Sequence, residues 1–156
     1  MNNLFKFIIS IIVCQSAGIF GSLFSFEAVP DWYSTLTKPD FAPPNWIFAP
    51  TWIILYFLMG MSLYLVWKNK IKSKERKNFF IMFGIQLFLN AIWSFFFFGL
   101  KSPLFGLIDI LFLDIFVIIT MIYSRSVLKL ATILLIPYLG WIIFATIINY
   151  KIVILN

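Results

Sequence analysis

Five stretches of predominantly apolar residues, at about 4–26, 46–67, 79–99, 104–124 and 128–151, take up most of this 156-residue chain. A helix needs about 20 such residues to cross the hydrocarbon core of a bilayer. No water reaches the backbone there, so a spanning segment must satisfy its own N–H and C=O groups, and the sequence lacks the alternating pattern of barrel strands. The spacing therefore predicts an all-α integral membrane protein: a bundle of five transmembrane helices forming a single domain over 1–156, with a long proline-rich first loop. Composition points the same way, at 62% hydrophobic and 12% charged. A soluble fold of this length would leave roughly a third of its unfolded-chain surface facing water, more than so few charges could cover.

The net charge of +6 raises the question of nucleic acid, but six of the twelve basic residues fall in one run, Lys68 to Lys77. That placement reads as a loop beside anionic lipid, so no nucleic-acid partner is expected. With the segments alternating sides, Lys6, the run Lys68, Lys70, Lys72, Lys74, Arg76 and Lys77, and then Arg125 and Lys129 share one face of the membrane. Lys38, Lys101 and Lys151 share the other, a bias of nine to three. This predicts a cytoplasmic N-terminus, with the first loop and the C-terminus outside, in a multi-pass protein of the cell membrane. The apolar stretch after Lys6 runs on to Phe26 without a small-x-small cleavage site and reads as a retained first helix. Cys14 is the sole cysteine and histidine is absent, so a disulfide, a Cys-rich metal site and the usual proton shuttle are all missing. No metal site and no obligatory cofactor are expected.

The connections carry the punctuation. The first loop, Glu27 to Pro44, holds four prolines and predicts an ordered excursion instead of a regular helix. Ser102-Pro103 suits an N-cap followed by Pro at the first helical position. Pro50 and Pro137 fall inside apolar segments, where each should bend its helix. The Phe95–Phe98 run reads as lipid-facing packing.

Polar residues inside a span cost free energy unless they face the bundle interior or a cavity. In the third segment Gln86, Asn90, Trp93, Ser94 and Phe97 form one polar and aromatic helical stripe. Interhelical hydrogen bonding by the two amides accounts for it as well as a binding site does. The fifth segment repeats the pattern with Tyr138, Trp141, Ala145 and Asn149, and the second adds Trp52, Tyr56 and Met59 beside Gly60. Trp93 and Trp141 lie too deep for an interfacial belt. Aromatic rings converging from three helices suit a flat, largely apolar ligand. Asp109 and Asp114 point about 140° apart on one helix and cannot form a carboxylate dyad. No Lys or Arg lies at comparable depth to neutralise Asp114, whereas Asp109 is placed to tether the first loop. Ala17, Gly18, Gly21, Ser22 and Ser25 form small-xxx-small pairs that predict close helix packing.

Three blocks then become specific. They are Trp32-Tyr33, Leu36, Lys38-Pro39, Pro43-Pro44, Pro50, Trp52 and Leu55-Tyr56; Asn90, Trp93-Ser94 and Phe96 to Gly99; and Pro137-Tyr138, Trp141, Phe144-Ala145 and Asn149-Tyr150. In order and spacing they resemble the TspO/MBR family. The resemblance implies a cavity open toward the first loop that binds porphyrins and other hydrophobic small molecules. It assigns Tyr33 and Pro43 to the lid, Trp52 and Tyr56 to the second-helix wall, Asn90 and Trp93 to the third, Trp141 and Ala145 to the fifth, and matches Asp109 to an acidic position in the fourth. Some members degrade bound protoporphyrin under light, which would engage Trp52 and Trp141 here; tetrapyrrole transport is a further alternative. A homodimer is compatible with the resemblance, although the third segment carries no clear glycine motif for one. Two departures stand out. Ile147-Ile148-Asn149-Tyr150-Lys151 does not fit the sterol motif of animal members, and Phe41 stands where a Trp is usual. Without His, haem iron would be left with weaker ligands such as Tyr, Met or Cys14.

Overall fold

The computed structural model describes residues 2–69 and 73–156. All its regular structure is helical among the described residues: α1 (Asn3–Ala28), α2 (Phe48–Lys68), α3 (Lys74–Ser94), α4 (Pro103–Val127) and α5 (Lys129–Leu155). Five helical stretches are long and apolar enough to cross a membrane. α1 packs on α2 and α3, α4 on α3 and α5, and α2 on α5, so the helices close a ring in the order α1–α2–α5–α4–α3.

The radial pattern is that of a protein dissolved in lipid. Along α4 the inward positions include Gly106, Asp109, Thr120 and Ser124, whereas Leu104, Ile108, Leu111, Phe112, Ile115 and Ile122 are exposed. Buried polar side chains occur in every helix and most tie neighbours together. The Ser62 hydroxyl donates to Ala131 O at 2.8 Å between α2 and α5, and Ser124 and Thr132 pair at 2.7 Å between α4 and α5. Asn149 Nδ2 donates to Pro103 O at 2.8 Å. Arg76, from the first turn of α3, donates through Nε to Val66 O and through Nη2 to Trp67 O, both at 3.1 Å. It thus covers orphan carbonyls at the end of α2. At Gly60 α2 meets the α1 backbone: a Cβ there would lie 3.0 Å from both Ile11 Cα and Ser10 O. Lys70 and Lys72 of the basic run lie outside the described residues.

Helix starts follow the local chemistry. Asn2, Ser73 and Ser102 accept from the backbone N–H of Leu4, Arg76 and Phe105 at the heads of α1, α3 and α4, and Pro103 follows Ser102 as expected. Lys101 takes the left-handed conformation (φ 50°) in the tight α3–α4 turn.

Three expectations need correction. The first loop does not begin at Glu27: α1 continues to Ala28 and passes into a π-helical turn over Val29–Tyr33. Pro30, which has no N–H to offer an i−4 carbonyl, sits where the wider turn begins. Pro50 lies in the first turn of α2, where an absent donor costs little, so it does not bend the helix interior; Pro137 is the proline inside a helix. The phenylalanine run is not wholly lipid-facing. Phe95–Gly99 forms a second π-helical turn, and its smaller angle per residue brings Phe97 and Phe98 to the inner side. Phe97 is buried, whereas Phe95 is exposed.

Candidate ligand cavity

The ring encloses a cavity of about 540 Å³ beneath the first loop. That size falls within the roughly 300–1,000 Å³ of small-molecule sites. α2 supplies Phe48, Ala49, Trp52, Ile53 and Tyr56, a single helical stripe, and Asn45 at its rim. α3 and its π-helical extension give Asn90, Trp93, Ser94, Phe97 and Phe98; α5 gives Trp141, Ala145, Ile148, Asn149 and Ile152. No lining residue is Asp, Glu, Lys or Arg.

The aromatic rings brace one another. Trp52 stacks on Tyr56 at 5.4 Å between ring centres, and Trp93 on Phe97 at 5.0 Å with the planes 19° apart. Phe48 meets Trp141 edge-on at 6.1 Å. Behind this wall runs a hydrogen-bonded chain. The Tyr56 hydroxyl donates to Asn90 Oδ1, Asn90 Nδ2 donates to the Tyr138 hydroxyl at 3.0 Å, and that hydroxyl donates to Gln86 Oε1 at 2.9 Å. The chain joins α2, α3 and α5 and fixes the ring of Tyr56 and the amide of Asn90 at the cavity wall. On the third-helix stripe, Asn90 bonds between helices and also lines the cavity.

Three lining residues carry buried polar atoms without a partner among the described residues: Trp93 Nε1, Trp141 Nε1 and Asn149 Oδ1. Two donors and one acceptor are thus buried within the cavity's walls without a protein partner, each at a cost in free energy.

Tyr33, Trp52, Tyr56, Asn90, Trp93, Trp141 and Ala145 all border this one cavity; Pro43 and Asp109 do not. Tyr33 is buried at the loop end, held against Phe97 and Phe98, with the Lys38 ammonium 4.9 Å from its ring centre and donating to its carbonyl at 2.9 Å. The loop is anchored to the end of α5 by a reciprocal pair, Thr37 N to Asn156 Oδ1 at 2.9 Å and Asn156 Nδ2 to Thr37 O at 3.0 Å. Asp109 is buried in α4 and does not tether that loop through any hydrogen bond seen among the described residues; α4 offers Ile110 and Leu113 to the cavity in its place. Asp114 Oδ2 accepts from the Thr146 hydroxyl at 2.9 Å, away from the cavity. Phe41 packs on Phe144 at 6.3 Å. Cys14 and Met59 belong to the core, which leaves Tyr33 and Tyr56 as the cavity's only lining residues among the weaker iron ligands considered.

Sequence reasoning missed the first-helix wall. Gly18, Gly21, Ser22 and Ser25 line the cavity, together with Gln15, Ile19, Phe26, Val29 and Pro30. Close packing is real at two of them, since a Cβ on Gly18 would meet the Tyr56 ring at 2.5 Å and one on Gly21 the Ser94 Oγ at 2.8 Å.

The sequence pattern of the TspO/MBR family matches residues 10–155. The chain belongs to the TspO/MBR family. It is 46% identical to the "Tryptophan-rich protein TspO" of Archaeoglobus fulgidus over 154 residues, 99% of each chain. It is 43% identical to the protein of the same name from Chlorobaculum tepidum over 144 residues, 92% of this chain and 91% of that one. Similarity to the human "Translocator protein" is 37% over 142 residues, 88% of this chain and 83% of the human one. Membership in TspO/MBR and the five spanning helices together make this a multi-pass membrane protein with lipid as its surrounding solvent.

Proposed function

We propose that this TspO/MBR protein is a receptor or sensor that binds porphyrins and similar flat, hydrophobic molecules in the cavity beneath its first loop, with its N-terminus in the cytoplasm. The observation that carries the reading is the uncharged cavity of about 540 Å³ walled by the rings of Trp52 and Tyr56, Trp93, and Trp141 from three helices. A planar, largely apolar ligand would stack on those rings. Lining that carries no charge favours burial of the macrocycle and leaves any propionate groups at the mouth.

Titration of the purified protein with protoporphyrin, followed by quenching of its tryptophan fluorescence, tests this directly. Trp141→Ala removes one aromatic wall of the cavity and should weaken binding about tenfold, since an aromatic contact is worth roughly 0.5–1.5 kcal/mol beyond its area burial. Equal affinity in the variant would refute the placement of the ligand. The position of Trp52 and Trp141 on the same cavity supports a second reading, light- and oxygen-dependent breakdown of the bound porphyrin. Under illumination that reading expects the pigment to bleach faster than in free solution, and more slowly with Trp52→Phe.

A further inference from the structure

The cavity does not stop at the ring's inner surface. Among its lining residues are Ile19 and Phe26 of α1, exposed by 66% and 83%, and Ile53 of α2, exposed by 59%, together with Ser22 and Ala49, which are also exposed. These side chains sit on the flanks of α1 and α2 that face one another at the outer surface of the bundle. The cavity therefore reaches the lipid-facing side between these two helices. The cleft has a floor: Gln15 Nε2 donates to Ile53 O at 3.0 Å, a side-chain bond from one lip to the backbone of the other, and below it Gly60 brings the two backbones together. Above the cavity the way out is obstructed by Tyr33 with its Lys38 clamp and by the loop pinned to Asn156.

We propose that ligands enter and leave this cavity sideways, from the acyl-chain layer of the bilayer, through the cleft between α1 and α2. This rests on the cavity reading above and adds its route and a restriction on its ligand. Only molecules already dissolved in lipid reach the cleft, and a lining with no Lys or Arg among the described residues holds no counter-charge for an anion drawn through it. The transferred species is neutral, so an esterified porphyrin should load faster than the corresponding dicarboxylate.

The test uses protoporphyrin dimethyl ester as the probe and the full-length protein in lipid nanodiscs, with binding followed by porphyrin fluorescence. Ile19→Trp and Ile53→Trp fill the cleft from its two lips without disturbing the core, because both positions already face lipid. Ile118→Trp, on the exposed side of α4 and remote from the cavity lining, is the control. A side entrance predicts that each lip variant lowers the association and dissociation rate constants together, by tenfold or more, while the control changes neither. Unchanged rates with binding intact would overturn the side entrance and leave the cavity reading standing. Failure of the unmodified protein to bind the ester would remove the cavity reading and the entrance with it.

Discussion

Tyr138→Phe puts a number on the chain of hydrogen bonds behind the cavity. The Tyr138 side chain is fully buried; its hydroxyl accepts from Asn90 at 3.0 Å and donates to Gln86 at 2.9 Å. The substitution keeps the ring, and with it the edge contact to Trp52 at 6.4 Å, and deletes one oxygen. Two effects must be weighed. The bonds themselves contribute little net, because interhelical side-chain hydrogen bonds in bilayers average about 0.6 kcal/mol, or roughly 1 kcal/mol for two. The groups left behind cost more. Gln86 Oε1 and Asn90 Nδ2 are stranded in the interior, and Gln86 Nε2 already lacks a partner, so turning the amide over brings no relief. At about 1–3 kcal/mol for each of the two stranded groups, the penalty of orphaning outweighs the bonds, and a loss of about 2–6 kcal/mol is expected. Reversible unfolding by SDS titration in mixed micelles, followed by helical circular dichroism, measures it. Gln86→Leu combined with Tyr138→Phe removes one of the stranded groups and should be more stable than the sum of the single changes by about 1 kcal/mol. A single-variant loss under about 0.5 kcal/mol, with additive singles, would refute the claim that this chain holds α3 against α5.

Two further substitutions probe the frame. Gly60→Val places methyl groups against Ile11 Cα and Ser10 O, backbone atoms that cannot swing aside, and should cost about 1–3 kcal/mol in the same titration; a neutral outcome would mean that α1 and α2 separate freely. Asp114→Leu removes a carboxyl with one buried oxygen unpaired, while Thr146 keeps its bond to Ile142 O at 2.8 Å. It should raise stability by about 1 kcal/mol or more, and a loss would reveal a partner for Asp114 that an apolar side chain cannot replace.

How much of this was legible from the residues depends on which physical signal each feature leaves. Five spans and the Ser102-Pro103 helix start are written locally, in hydropathy and in capping chemistry, and the structure has five helices long and apolar enough to cross a membrane and a Ser102 cap on α4. Trp52, Asn90, Trp93 and Trp141 were findable because polar and aromatic residues at helical spacing are expensive in lipid unless they turn inward. Two features left no such trace. A π-helical turn shifts the phase of every residue after it, so a 3.6-residue reading keeps Phe97 on the stripe of Asn90 and Trp93 but turns Phe98 away from the cavity that it lines. The proline-rich loop misled in the same manner, since Val29–Tyr33 absorbs Pro30 by widening the helix.

The small residues of α1 show why a wall of a cavity is harder to read than its aromatic furniture. Spacing alone cannot separate two uses of a missing side chain, one that lets a neighbour approach and one that leaves room for something else. Here both occur along one stripe: Gly18 and Gly21 accept Tyr56 and Ser94 at contact distance, and the same residues with Ser22 and Ser25 border open volume. What separates the uses is the cost carried nearby. A bundle built only to pack would fill that volume with Leu or Ile and give its indole N–H groups a carbonyl. This one leaves Trp93 Nε1, Trp141 Nε1 and Asn149 Oδ1 without partners on the cavity walls and bends two helix ends into π-helical turns beside them. Open volume left unfilled between aromatic rings from three helices, in a bundle whose other faces pack closely, marks the part of the molecule shaped for something other than its own stability.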